Sequence, residues 1–203
     1  MKVLITCGPT WVAIDRVRVI SNVSSGEMGH LIAKAFRQKK ATVTVIEGPV
    51  THAFSDKKVK IIKYRFFDEM AAAVKKELLK KYDVIVHAAA VSDFKVIRPS
   101  KGKISSDQAV TLNLTPTEKI IKAVKRLSPR SFLVGFKLDP GLNSKNVFKV
   151  VRPLFKSAGC DLVVANTLKT GYRGFIVDPA GEILSRASSK KAIAQRLVNL
   201  TVT

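Results

Sequence analysis

A chain of 203 residues that is 46% hydrophobic suits one domain with a full core. No apolar run approaches the roughly twenty residues that a membrane-spanning helix needs. Lys and Arg number 36 against 15 Asp and Glu, for a formal charge of +21. The cations are spread over nearly every predicted helix, without an RNA-binding signature or helix-turn-helix spacing. They read as solvated faces whose field draws in small polyanions, and not as a nucleic-acid surface. The opening Met1-Lys2-Val3-Leu4-Ile5-Thr6 lacks a signal-peptide apolar region and reads as a first strand, so the cytoplasm is the expected location. Cys7 and Cys160 are expected to be reduced core thiols. With His30, His52 and His87 scattered, no zinc-type spacing is present and no resident metal is expected.

The first strand, Val3-Leu4-Ile5, ends at Cys7-Gly8-Pro9-Thr10, and a polar loop leads on to Ser21-Asn22-Val23-Ser24-Ser25-Gly26. Met28, Leu31, Ile32, Ala35 and Phe36 then recur at i, i+3, i+4, i+7 and i+8, which predicts a helix. A buried strand that leads through a Gly/Ser loop to a helix N-terminus is an anion site in outline. Free N–H groups and the positive dipole end face the ligand, and small residues admit it close to the backbone. The spacing is neither G-x-G-x-x-G nor a P-loop. Its length marks a functional loop. Ala41 to Glu47 alternates and stops at Gly48-Pro49, a second strand, and Val59 to Tyr64 is a third. Asp68 is placed to cap a helix running to about Lys80, with Met70, Val74 and Leu78 on one face. Asp83 to Ala90 is strongly apolar, as expected of a strand covered on both faces.

Ser92 to Ala109 breaks the rhythm. It is polar and carries Pro99 and Gly102, and from Phe94 to Ala109 it is expected to be mobile until a nucleotide binds. Val110 to Leu114 reads as a short strand, and Pro116 as the start of a helix with Ile120, Ile121, Val124 and Leu127 inward. Ser131 to Phe136 is a strand. Asn143 to about Ser157 is a helix that Pro153 should kink or end early, with Gly159 as its stop. Asp161 to Ala165 is the last core strand, closing at Asn166. A hairpin follows around Asp178-Pro179-Ala180-Gly181, and Ser188 or Ser189 caps a final helix with Ile193, Leu197 and Leu200 inward. Residues 1–203 are therefore read as one domain. Its expected fold is an α/β, doubly wound, mostly parallel Rossmann-like sheet with helices on both faces and a C-terminal β-hairpin plus helix.

Ligands of open α/β sheets bind at the carboxyl ends of strands. Four such ends are polar or glycine-bearing: the Gly8 to Gly29 loop, His87 to Asp93, Phe136 to Asp139, and Asn166. Each residue also has a plain structural role. Asp93 can form a turn, Lys103 can be an ordinary loop lysine, Pro116 a first-turn proline, Phe136 a core residue, and Asn22 and Asn166 turn closers. No Ser-His-Asp or Cys-His arrangement argues for hydrolysis. Glu47, at the end of the second strand, is where an NAD(P)-type Rossmann oxidoreductase would hold a ribose. The missing glycine fingerprint argues against that enzyme.

Gly8-Pro9-Thr10, Ile14-Asp15, Val17-Arg18, Ile20-Ser21-Asn22, Ser24-Ser25-Gly26 and Met28-Gly29 together resemble the opening of phosphopantothenate–cysteine ligase. That enzyme, phosphopantothenoylcysteine synthetase, is the synthetase half of the coenzyme A biosynthetic flavoprotein and also exists free-standing. Ala88-Ala89-Ala90 with Asp93, then Lys103-Ile104 ten residues on, and Pro116-Thr117 with Val134-Gly135-Phe136 continue the likeness. The resemblance implies a ligase of the free-standing or split type. It would join 4′-phosphopantothenate to L-cysteine through an acyl-nucleotidyl intermediate, using CTP or ATP with Mg2+. It implies a homodimer and leaves room for a separate phosphopantothenoylcysteine decarboxylase as partner. Gly8, His87, Ala88, Ala89, Asp93 and Lys103 would hold the nucleotide, together with Thr115, Pro116, Thr117 and Phe136. Asn22, Ser24, Ser25, Gly26 and Asn166 would hold the substrate. Asn22 would donate to the developing oxyanion, and Lys103 would meet the triphosphate. Where relatives often carry Arg after the Asn and Lys after Ser-Ser-Gly, this chain has Val23 and Glu27, and the lysine-rich run is cut to Lys103-Ile104-Ser105-Ser106. These departures keep open a non-catalytic basic module on the same fold that binds nucleotide or nucleic acid.

Overall fold

The computed structural model describes residues 1–107, 109–169 and 171–202. In chain order the elements are β1 (Lys2–Cys7), β2 (Trp11–Ala13), β3 (Val19–Ser21), α1 (Glu27–Gln38), β4 (Thr42–Glu47), β5 (Lys60–Lys63), α2 (Phe67–Leu78) and β6 (Val84–His87). Then come β7 (Phe94–Val96), β8 (Leu114–Pro116), α3 (Ile120–Leu127), β9 (Phe132–Leu138), α4 (Val147–Ala158), β10 (Leu162–Thr167), β11 (Arg173–Val177), β12 (Ile183–Ala187) and α5 (Lys190–Thr201).

Eight strands form one sheet in the order β12-β11-β10-β9-β6-β1-β4-β5. From β10 to β5 neighbours run parallel, and β11 and β12 add antiparallel at the far edge. The strand period of two explains why both faces fill. Val3, Ile5 and Cys7 join Ile32, Phe36, Ile193 and Leu197 of α1 and α5, while Leu4 joins Met70, Val74, Val124 and Val151 of α2, α3 and α4. Each of the larger fully buried side chains contributes about 1.5–3 kcal/mol by leaving water. The doubly wound fold read from sequence is the one observed.

The chain grows outward from β1 through β4 to β5, then returns to the other flank of β1 and grows through β6, β9 and β10. Strand order therefore reverses between β1 and β6. The carboxyl ends of those two strands flank the crevice where such sheets take their ligands.

Several local expectations are corrected. The α2 N-terminus is capped by Glu69, whose Oε2 accepts from the N–H of Arg65 (2.7 Å) and Phe66 (3.2 Å); Asp68 lies in the first turn. Pro116 does not start a helix. It ends β8, which pairs antiparallel with β7, and α3 begins at Ile120. Leu127 and Leu200 face solvent. Ala123 completes the α3 stripe, and Ala194 and Val198 complete that of α5. Pro153 lies inside α4 without ending it, because the buried Val147, Val151 and Ala158 hold one stripe on both sides of the proline. Gly159 terminates α4 with φ 65°, and Ser189 Oγ caps α5 by accepting from the Ala192 N–H at 3.2 Å, both as expected.

Three hydrogen bonds tie the segment after Ser92 to the β2–β3 turn. The Ser100 N–H donates to the Ile14 carbonyl (2.9 Å), and the Ile104 N–H to Asp15 Oδ2 (3.1 Å). The Arg18 guanidinium donates to the Ile104 carbonyl at 2.6 Å. Gln108, inside that segment, lies outside the described residues. Among the described residues, no helix is long and apolar enough to cross a membrane.

Candidate active site

Backbone demands at the switch point explain the glycines. Gly8 leaves β1 at φ 79°, and Gly26 precedes α1 at φ 73°, a region costly for residues with a Cβ. A Cβ at either place would also press on Val50 Cγ1, at 2.9 and 2.7 Å. The N-cap residue of α1, Gly26, has no side chain to offer, and Ser25 Oγ accepts from the Glu27 N–H at 3.4 Å. Glu27 in its first turn pairs with Lys190 at 2.6 Å.

Hydrogen bonds then fasten the β1 exit to the β6 exit. The Ala88 N–H donates to the Thr6 carbonyl (3.1 Å) and the Ala90 N–H to the Gly8 carbonyl (2.9 Å). Thr10 Oγ1 accepts from the Ser92 N–H at 2.8 Å. The Asn22 side-chain amide donates to the carbonyls of Ala90 (3.1 Å) and Val91 (3.2 Å). Residues 68 and 69 positions apart in sequence thus meet at one crevice. As placed, Asn22 has both amide hydrogens engaged, and Ser24 and Ser25 follow it toward α1.

The other candidate residues are distributed around this centre. His87 is buried with Nδ1 3.1 Å from Thr6 Oγ1, and burial pushes its pKa down to about 4. It is neutral at physiological pH, orients Thr6, and offers no charge to a phosphate. Ala88 and Ala89 are half-buried beside it, and the Ala89 N–H donates to Thr6 Oγ1 at 3.3 Å. Asp93 is exposed and paired with Lys119. Thr117 Oγ1 donates to the Ser92 carbonyl at 2.7 Å, which anchors Thr115 and Pro116 of the β7–β8 ribbon to the β6 exit. Phe136 lies on β9 one residue past the level of His87, and Asn166 on β10 is level with Leu138, so both reach the same sheet edge. Lys103 is exposed, and its neighbour Ile104 is tied to Asp15 and Arg18 on the β2–β3 side.

Sequence reasoning missed two supports. The Tyr64 hydroxyl donates to the carbonyls of Cys7 (3.0 Å) and Gly8 (3.2 Å), bracing the β1 exit from below, and burial raises its pKa. Asp15 is a buried clamp. Its Oδ1 accepts from Val17 and Arg18 at 2.8 Å each, while Oδ2 takes Ile104. These N–H donors, Val17 first, hold its carboxyl below the usual range. The Asx-turn spacing from Asp15 to Val17 was the available signal.

Beside this crevice, Glu47 is fully buried. It accepts from His30 Nε2 (2.6 Å) and the Phe54 N–H (2.9 Å), and pairs with Lys63. It is not free for a ribose, which removes the structural basis for the oxidoreductase reading. Burial pushes the Cys7 thiol up to about 12, and burial followed by Lys63 lowers the His30 pKa. Cys7, His30 and Glu47 bring one donor atom each within 4.8 Å of one another. The donors come from β1, α1 and β4, so no short spacing motif announces them.

The model of the DNA/pantothenate metabolism flavoprotein C-terminal domain matches residues 1–202. The coenzyme A biosynthesis bifunctional protein CoaBC of Thermococcus kodakarensis is 45% identical over 170 residues, which are 83% of this chain and 41% of that protein. Its counterpart in Methanocaldococcus jannaschii is 31% identical over 204 residues, 97% of this chain and 49% of that protein. The chain thus spans about half the length of the curated relatives it matches or less. The crystal structure of the DNA/Pantothenate Metabolism Flavoprotein from Streptococcus pneumoniae superposes with TM-score 0.88 at 25% identity, covering 98% of this chain and 97% of that one. A Cab2 mutant H337A in complex with phosphopantothenate-cysteine shares the fold, with TM-score 0.79 at 20% identity over 99% of this chain and 85% of that one. The chain belongs to the DNA/pantothenate metabolism flavoprotein C-terminal domain family, as the resemblance of its loops to phosphopantothenate–cysteine ligase led us to expect.

Proposed function

We propose that residues 1–203 act as one catalytic unit that joins 4′-phosphopantothenate to L-cysteine at the expense of CTP or ATP. The observation that carries the reading is the Asn22 amide resting on the Ala90 and Val91 carbonyls. It couples the anion loop entering α1 to the end of β6, so an acid and a nucleotide bound there would meet. The substrate carboxylate attacks the α-phosphorus and pyrophosphate leaves. The cysteine amine then attacks the acyl carbon, and the nucleoside monophosphate departs with the electron pair of the broken bond. Asn22 exchanges one carbonyl for the oxyanion that develops in this second step, without a change of protonation. Ser24, Ser25 and Gly26, with the α1 N-terminus, receive the phosphate of phosphopantothenate. Asn166 contacts the same substrate. Ala88, Ala89, Asp93, Thr115 to Thr117 and Phe136 surround the nucleotide, and Lys103 offsets charge on the departing pyrophosphate.

Mg2+ would ride on the triphosphate, with Asp93 the nearest fit among the proposed nucleotide residues. Among the described residues, the one group of three or more Cys, His, Asp or Glu side chains close enough to share an ion is Cys7–His30–Glu47. Its sulfur and imidazole donors do not suit Mg2+. Exposed Val17, Val23, Phe94, Ile97 and Leu114, in or beside the two small ribbons, support a homodimer that covers them. The reaction belongs in the cytoplasm, where a decarboxylase would consume the product.

The test is product formation, followed by mass spectrometry, with CTP and ATP in turn. Phosphopantothenoylcysteine formed with at least one triphosphate is expected. No product with either, from folded protein, overturns the proposal.

A further inference from the structure

We propose that Cys7, His30 and Glu47 form a binding site for one divalent cation of the zinc type, which clips β1, α1 and β4 together beneath the loop that enters α1. Strand register builds the first half of the site. Cys7 and Glu47 are partners on adjacent parallel strands, so their side chains leave the sheet on the same face. Helix packing supplies the rest. A Cβ on Gly29 would collide with Cys7 Cβ, so α1 lies directly against Cys7 and brings the next residue, His30, over the pair.

The donor set decides the class of ion. A thiolate, an imidazole and a carboxylate suit zinc-type cations, while Mg2+ and Ca2+ take oxygen donors. A tetrahedral zinc site with bonds of about 2.0–2.3 Å separates its ligand atoms by roughly 3.3–3.7 Å. The three donor atoms already lie within 4.8 Å of one another. His30 Nε2 and Glu47 Oε1, at 2.6 Å, must open by less than about 1 Å to admit the ion.

The surroundings complete the arrangement. The Phe54 N–H fixes one carboxylate oxygen of Glu47 at 2.9 Å, and the Phe54 ring lies 5.3 Å from the His30 ring. Cys7 and Glu47 are fully buried, while His30 is partly open and provides the way in. Charge is conserved on loading. The thiol loses its proton to solvent, the ion brings two positive charges, and Lys63, whose side chain is half-exposed, releases Glu47 and turns into water. A neutral His30 coordinates through Nε2 with its proton on Nδ1. The site does not depend on the ligase reading.

Cobalt(II) is a suitable probe, because a thiolate ligand gives it an intense charge-transfer absorption that oxygen and nitrogen ligands do not. Titration of the purified full chain is expected to show one Co2+ per chain with that band, displaced by Zn2+. Cys160→Ala leaves Cys7 as the sole cysteine of the two and should keep the band. Cys7→Ser should lose it. Lys63→Gln removes the competing cation and should tighten Co2+ binding by about tenfold. A purely hydrogen-bonded ion network would show no charge-transfer band and no gain in affinity in Lys63→Gln. Absence of the band in both the native chain and Cys160→Ala overturns the proposal, as does a band that survives Cys7→Ser. Should Cys7→Ser fail to fold, the Cys160→Ala and Lys63→Gln results decide the question.

Discussion

The α1 side of β1 and the β7–β8 ribbon both border the crevice, yet they are built in opposite ways. On the α1 side, Val3, Ile5, Cys7, Ile32 and Phe36 are all fully buried, and glycines are dictated by contact. On the ribbon, three-residue strands pair only with each other, and Phe94, Ile97 and Leu114 stand in solvent. The segment between the two ribbon strands is held by a handful of hydrogen bonds to Ile14, Asp15 and Arg18. One region is a scaffold whose stability is packing. The other is an adjustable wall whose order depends on a few polar contacts, the sort of element that low local stability makes available to function.

The largest effect is expected at Asn22, which ties the loop entering α1 to the end of β6. Asn22→Ala should lower the ligation rate constant by about 10²–10³-fold, roughly 3–4 kcal/mol, while the fold is spared because the side chain is exposed. Near-normal ligation by a folded variant would remove Asn22 from the chemistry. On the scaffold side, Gly29→Ala drives a methyl into Cys7 and should destabilise the protein by about 3 kcal/mol in urea unfolding. Unchanged stability would show that α1 can shift outward at little cost.

On the wall, Lys103→Gln should slow pyrophosphate release about tenfold, the net of a roughly 4 kcal/mol attraction at 4 Å less desolvation and ordering. Lys101→Gln, two residues earlier, lowers the +21 charge equally and should change little. Equal losses would reduce Lys103 to part of a general basic field. Asp15 gives a pH test of the same wall. Its folded carboxyl titrates below its ordinary value, so its contribution is present above that ordinary value and is lost as pH falls through the lowered one. Hydrogen exchange in residues 97–107, corrected for its intrinsic pH dependence, should stay slow down to about pH 4 and accelerate below it. Asp15→Asn should be fast already at pH 7. The smallest effect belongs to Gly102→Ala. Nothing lies within 4 Å of the added methyl, and stability should move by less than about 0.5 kcal/mol.

The same contrast explains what could be read from sequence. β1 and β6 are legible because strands covered on both faces become apolar runs, β4 because it alternates up to Gly48-Pro49, and α1 because its buried stripe repeats at helical spacing. The β2–β3 ribbon and β7 were not found, and β8, expected at Val110 to Leu114, lies at Leu114–Pro116. These strands span three residues each, too few for alternation to register, and their partners are chosen by tertiary position. Pro116 was read as a helix start for that reason. The candidate residues at strand ends do collect on one edge, because that follows from parallel topology alone. Their joining contacts, Thr10 to Ser92 and Asn22 to Ala90, depend on where the strand order reverses, which no local spacing encodes. The Cys7–His30–Glu47 group was hidden by the same separation.

Pyrophosphate release in the absence of cysteine tests the central claim most directly. Activation at the β1–β6 crevice precedes attack by the amine, so the folded chain supplied with phosphopantothenate and its preferred triphosphate should release pyrophosphate up to one equivalent per chain and then stop until cysteine is added. Release that ignores phosphopantothenate, or that begins only once cysteine is present, would contradict the account.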